Sequence, residues 1–256
     1  GGCAARDGRV SRRSVSVIAG REMGATRDVR SQTPSDRTMV AGVAGRASGY
    51  GWVVIILVRH GETQANRAGA YLGRADPPLT ERGRRQAERV AAMLPPPDRV
   101  ITSPLQRAQE TATPIAAAHG LDITTIDDLI EADNQFEGLK VSVGDGALGK
   151  PRHWLKMRDP FTPSWGEPYI QIAHRMLAAA NTARDAGRGH EVICVSHQLP
   201  VYTLRRFLEG QRLWHDPRVR QCSLASLTTL IYDDDALVDI VYSEPAGASD
   251  PRITGA

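Results

Sequence analysis

Every position from Val53 to Val58 is aliphatic, an unbroken apolar run of strand length rather than an alternating one. Such a run predicts a strand buried on both faces, as in a parallel sheet covered by helices. The pattern then shifts to helical spacing. Thr80 reads as an N-cap for a helix to about Met93, and Pro95-Pro96-Pro97 stops it. Arg99–Thr102 reads as a second strand. Ser103-Pro104 reads as a cap with proline at the first helical position, opening a helix to His119 that ends at Gly120. Leu121–Ile126 is a third predicted strand. A helix is expected from about Glu167 to Asp185, with Ile170, Ile172, Met176 and Leu177 as its core stripe. Glu191–Val195 reads as a buried strand, Gln198 to Glu209 as a helix, and Leu227–Tyr232 with Leu237–Tyr242 as a hairpin around Asp233-Asp234-Asp235.

Strands alternating with helices predict an α/β fold: a three-layer sandwich whose mostly parallel sheet is flanked by helices. Residues 132–165 are too long for an ordinary connection and read as an insertion over the carboxyl-end active site. Its Lys140, Lys150, Arg152, His153, Lys156 and Arg158, with Trp154, Phe161 and Trp165, either read part of a ligand or form a solvated loop. The expected organisation is a disordered or non-native basic extension over 1–52, a catalytic domain over 53–243 and a loose tail over 244–256.

Composition changes this picture at one end only. The chain has 256 residues, 41% of them hydrophobic and 24% charged, ordinary for a globular fold. Residues 1–52 hold nine arginines against four acidic residues, so the pI near 8.9 belongs to that segment. The remainder is close to neutral, and no nucleic-acid partner is expected for the folded domain. No stretch approaches the ~18 apolar residues of a membrane helix, so no membrane partner is expected. Cys3, Cys194 and Cys222 form neither a disulfide framework nor a Cys-x-x-Cys clamp, which suggests a reducing, cytoplasmic setting. His119, His174, His190 and His215 have no ligand spacing and read as structural or surface groups.

In open α/β sheets, ligands bind beyond the carboxyl ends of the strands. The residues there are Arg59-His60-Gly61-Glu62-Thr63 after the first strand, Ser103 to Arg107 after the second, Glu131 after the third and Ser196-His197 after the fourth predicted strand. Two histidines, two arginines and a glutamate on one edge make an anion site with an acid and a nucleophile.

Those residues also carry a family resemblance. Leu57-Val58-Arg59-His60-Gly61-Glu62-Thr63 with Asn66, Gly73 to Gly83, Thr102 to Ala112, Glu131 with Phe136-Glu137-Gly138, Gly166-Glu167 with Arg175, and Val195-Ser196-His197 fall in the order seen in the histidine phosphatase superfamily, the phosphoglycerate-mutase-like group. The resemblance implies a metal-independent phosphomonoester hydrolase with no cofactor, acting on a small-molecule phosphomonoester through phospho-His60. It implies Glu131 as general acid/base, Arg59, Arg107 and His197 as catalytic phosphate binders, and Asn66, Thr63 and Gln198 as further substrate contacts. Glu62 either orients a neighbour or is solvated. The chain departs from the family where Gln198 replaces the glycine after the second motif histidine, and where Ala132-Asp133-Asn134-Gln135 lacks a common glycine. A mutase is the alternative reaction, although the short span of about 24 residues from Arg107 to Glu131 favours a phosphatase. A non-catalytic binder of phosphorylated ligands is the alternative of another class. A homodimer is compatible with such a fold.

Overall fold

The computed structural model describes residues 51–135, 137, 166–187, 190–216 and 220–247, all within the unit Pro34–Ala256. The expected extension apart from Gly51 and Trp52, most of the 132–165 insertion and most of the tail lie outside the described residues. The elements run β1 (Trp52–Arg59), α1 (Gln64–Ala68), α2 (Glu81–Met93), β2 (Arg99–Thr102), α3 (Gln106–His119), β3 (Ile123–Thr125), α4 (Tyr169–Ala186), β4 (Glu191–Ser196), α5 (Gln198–Leu208), β5 (Leu227–Asp233) and β6 (Ala236–Ser243). A short 3₁₀ turn, Asp127–Leu129, follows β3. Among the described residues no helix is long and apolar enough to cross a membrane.

The six strands form one sheet in the order β3-β2-β4-β1-β5-β6. β1 pairs in parallel with β4, and β2 in parallel with β3 and β4. The final hairpin makes the sheet mixed, because β5 runs antiparallel to both β1 and β6. The aliphatic run of β1 divides by alternation. Val53, Ile55 and Leu57 face one core with Ile172, Met176 and Leu204 from α4 and α5. Val54, Ile56 and Val58 face the other with Val90, Ala112 and Ile115 from α2 and α3. A side chain of this kind contributes roughly 1.5–3 kcal/mol when fully buried, so a strand covered on both faces has no reason to alternate with polar residues.

Thr80 caps α2 as expected, accepting a hydrogen bond from the Gly83 N–H at 3.1 Å. Ser103 does not cap α3. The helix starts later, at Gln106 with Leu105 in the cap position, and the Ser103 hydroxyl accepts from the Leu105 N–H at 3.3 Å, short of the helix's own donors. β3 is shorter than the expected strand. α4 starts at Tyr169, and its buried stripe is Tyr169, Ile172, Ala173, Met176 and Ala180. Ile170, expected in that stripe, lies a helical step off the face and is 45% exposed.

Candidate active site

The register of the parallel strands builds the site. Arg59 stands opposite Ser196 and Thr102 opposite Val195, so β1, β4 and β2 end side by side at the middle of the sheet. The residues that follow them (His60, His197 and Ser103) are therefore neighbours. The His60 N–H donates to the Ser196 carbonyl at 3.0 Å and the Ser103 N–H to the Val195 carbonyl at 3.0 Å, extending the ladder past the strand ends. The His60 and His197 rings lie 5.2 Å apart, tilted by 56°.

His60 is almost fully buried. Its Nδ1 lies 2.7 Å from the Gly61 carbonyl oxygen. A carbonyl can only accept, so Nδ1 carries the proton and the neutral ring keeps its lone pair on Nε2. Burial, then the Arg107 and Arg59 charges, hold the His60 pKa well below the ordinary histidine value. The loop that carries it is fixed by a backbone crossing. A Cβ on Gly61 would stand 2.6 Å from the Gly83 carbonyl oxygen, so the loop and the first turn of α2 meet without side chains. The Gly61 N–H also donates to the Thr111 hydroxyl at 3.0 Å.

The two arginines are buried and aimed by backbone carbonyls. Arg59 Nη1 donates to the Cys222 carbonyl at 2.6 Å. Arg107 donates through Nη1 to Ala75 and through Nη2 to Gly73, at 2.5 and 3.0 Å, and its Nε is buried without a partner. Asp76 lies 3.7 Å from Arg107. Burial lowers the proton affinity of both guanidinium groups, and Glu131 opposes that effect at each.

His197 sits at the N-cap position of α5. Its Nε2 lies 2.8 Å from the Ser103 hydroxyl, while Nδ1 is buried without a partner. Burial, then the nearby Arg107, pushes the His197 pKa far down. Glu131 is buried, and its Oε1 accepts from the Ala132 N–H at 2.9 Å. Burial raises the Glu131 pKa, with Arg107 foremost among the groups drawing it back. The segment before Glu131 is clamped. Arg175 forks onto Glu167 at 2.8 and 3.0 Å and donates from Nη1 to the Asp128 and Ile130 carbonyls at 2.6 and 2.7 Å. The Ser196 hydroxyl donates to the Leu129 carbonyl at 2.7 Å. A buried acid with raised pKa is thus held beside two permanent cations and a neutral imidazole whose lone pair is available.

The match to known proteins is extensive. The family model of the histidine phosphatase superfamily (branch 1) matches residues 55–242. The chain belongs to the histidine phosphatase superfamily. Over 193 residues it is 59% identical to the uncharacterized protein Rv0525 of Mycobacterium tuberculosis, covering 74% of this chain and 95% of that one. It is 33% identical over 179 residues to a Cronobacter sakazakii protein named "Probable phosphoglycerate mutase GpmB", covering 67% of this chain and 82% of that one. The solved structure of the mycobacterial glucosyl-3-phosphoglycerate phosphatase Rv2419c with VO3 superposes with a TM-score of 0.61 at 25% identity, covering 75% of this chain and 97% of that one. Phosphoryl-transfer enzymes, phosphatases and mutases, are therefore its relatives.

Within this superfamily fold the remaining expected contacts take definite places. Thr63 and Asn66 cap α1 reciprocally: the Thr63 N–H donates to Asn66 Oδ1 at 3.0 Å and the Asn66 N–H to Thr63 Oγ1 at 3.3 Å. Both are buried. Gln198 Nε2 donates to the Cys222 carbonyl at 3.3 Å, sharing that acceptor with Arg59, and its Oε1 is buried without a partner. Glu62 is not solvated: the Thr80 hydroxyl donates to it at 2.8 Å and Arg82 pairs with it at 3.3 Å. Among the described residues no group of three or more His, Cys, Asp or Glu is arranged to hold a metal ion.

Three contributors had no reading as site residues. Ser103 is matched to His197. Cys222 holds Arg59 and Gln198 through its main-chain oxygen. His215, expected to be structural or on the surface, is buried and accepts from Arg220 Nε at 2.8 Å.

Proposed function

We propose that the protein is a metal-independent phosphomonoester hydrolase working on a small molecule through phospho-His60. The observation that carries the reading is the His60 ring, with Nδ1 committed to the Gly61 carbonyl and a neutral Nε2 among Arg107, Arg59 and Glu131. A phosphomonoester dianion repels an anionic nucleophile, and a neutral imidazole avoids that repulsion. Arg59 and Arg107 bind the phosphoryl oxygens with charges that do not titrate near neutral pH. His60 Nε2 then forms a bond to phosphorus as the bond to the leaving oxygen breaks, and Glu131, whose raised pKa favours the acid form, gives that oxygen its proton. In the second half the Glu131 carboxylate takes a proton from water. The water oxygen bonds to phosphorus, the N–P bond breaks, and the electron pair returns to Nε2. His197, whose proton affinity the arriving dianion raises, takes a proton from solvent and donates it in a hydrogen bond to a phosphoryl oxygen as negative charge accumulates.

The test is phosphate release from a generic aryl phosphate in EDTA, by the wild-type protein and by His60→Ala. Turnover that survives EDTA and disappears in the variant is expected. Equal turnover by both proteins would falsify the assignment of His60. The likeness to the GpmB protein keeps mutase chemistry as the second reading. A mutase would pass the phosphoryl group of phospho-His60 to an added alcohol faster than to water, which product analysis separates.

A further inference from the structure

Next to the phosphoryl site lies a cation that the reaction above does not use. Arg220 is two residues before Cys222, whose carbonyl aims Arg59. Its guanidinium is close enough to Arg59 to depress that group's proton affinity. It also lies beside the Tyr169 hydroxyl, at the start of α4. Arg220 Nε donates to His215 Nε2 at 2.8 Å. His215 is fixed as a neutral acceptor there. Its Nδ1 donates to the Leu213 carbonyl at 2.7 Å, and burial lowers its pKa to about 4. The rings of Tyr169 and Tyr202 pack on it at 5.4 and 4.8 Å. The arrangement therefore orients Arg220 through an acceptor that itself carries no charge. Arg220 Nη1 is buried and has no hydrogen-bond partner among the described residues.

A buried guanidinium donor without a partner is costly, and a protein retains one where a ligand completes it. Arg59, near enough to Arg220 to feel its charge, is already assigned to the phosphoryl group, so an anion held by Arg220 would stand close to the first. We propose that Arg220 is a specificity-determining residue that binds a second anionic group of the substrate, a carboxylate or a second phosphoryl, beside the phosphate held by Arg59 and Arg107. This rests on the phosphomonoesterase reading for the identity of the first group. The neutral His215 acts as the positioning residue that turns Arg220 toward it. A plain alkyl phosphate would fill the first site and leave Arg220 Nη1 as it stands.

The experiment compares three probes that share a two-carbon frame: ethyl phosphate, phosphoglycolate and ethylene glycol bisphosphate. Binding is measured by calorimetry at pH 7.5 on the full chain as wild type, Arg220→Gln and Arg220→Lys. The wild type should bind at least one of the two dianionic-plus-anionic probes tenfold or more tightly than ethyl phosphate, the scale of one charge-assisted hydrogen bond. Which of the two gains decides between carboxylate and phosphoryl. In Arg220→Gln the ratio should fall toward one, and Arg220→Lys should restore part of it. A wild type without preference, or a preference that Arg220→Gln retains, overturns the proposal. Phosphate release from the same probes is scored separately. Selective binding without release would remove the hydrolase reading and leave Arg220 in its role, whereas release from all three at one kcat/KM would remove Arg220 and leave the hydrolase.

Discussion

Acid should destabilise this fold through the two histidines of its centre, and His60→Asn measures the share of one of them. His60 and His197 are buried, and both have pKa values held far below the ordinary 6.5. In the unfolded chain each takes up a proton near that value; in the folded chain it does not. The folded pKa is depressed, so the unfolded state binds more protons, and stability falls as pH drops below 6.5. The linkage relation sets a ceiling of about 2 kcal/mol lost per histidine between pH 7 and pH 5, reached when the folded group takes up no proton in that range. For a chain of this length that is a fall in Tm of very roughly 4–8 °C. Asn at position 60 can place its amide N–H where the His60 Nδ1–H donates to Gly61, while having no proton to gain. Urea unfolding at pH 7, 6 and 5 should therefore show the wild type losing more stability than His60→Asn over that range, by up to about 2 kcal/mol. Parallel pH dependence in the two proteins would refute the reasoning, because it would mean that His60 is protonated in the fold. Inorganic phosphate should flatten the wild-type curve, since a bound dianion supplies the countercharge that burial withholds.

Glu131→Gln should lower kcat by about 10²–10⁴ for alkyl phosphates and far less for aryl phosphates, whose leaving oxygen needs no proton. The same variant should remove the loss of kcat/KM that the wild type shows as pH rises through the elevated Glu131 pKa, and a retained alkaline limb would reassign the acid. Arg175→Lys keeps the charge but not the fork onto Glu167 or the grip on the Asp128 and Ile130 carbonyls. It should cost about 2–3 kcal/mol in denaturant unfolding and reduce kcat with little change in KM. A change confined to KM would show that Arg175 meets substrate instead of positioning Glu131. Ser103→Ala leaves His197 Nε2 without its partner at 2.8 Å and should cost about 1–3 kcal/mol in the same assay, with phosphate binding weakened in proportion. Unaltered phosphate affinity would mean that Ser103 serves only the fold.

Much of the sheet was legible because its signals are local. Six aliphatic residues in a row, a threonine three residues before a glycine and a glycine after His119 each fix an element within a few positions. What local signals cannot fix is a choice between two uses of one group. Ser103 before Pro104 has the composition of a helix cap, but the register of β2 against β4 sets it next to His197, and its hydroxyl meets the imidazole as well as the Leu105 N–H. Thr63 and Asn66, read as phosphate donors, close on one another as a capping box. They hold the loop after His60 at the same time, so a structural role and a place in the site are not alternatives there.

The arginines show the same limit from the other side. The motifs reveal the two cations, Arg59 and Arg107, proposed to face the reacting group, since their residue type carries the chemistry. The acceptors that aim them are the main-chain oxygens of Cys222, Gly73 and Ala75, which every residue type possesses. Only the position of the backbone selects them, and at Gly73 that position needs a φ of +50°, with Glu137 filling the space a Cβ would take. Arg220 is hidden for a related reason. It is one of 29 arginines and belongs to no motif, and what marks it is a donor without a partner among the described residues. Residue type therefore discloses the groups proposed to react with a phosphate, whereas the groups that aim them, and those that would choose among phosphates, become visible only through contacts between distant segments.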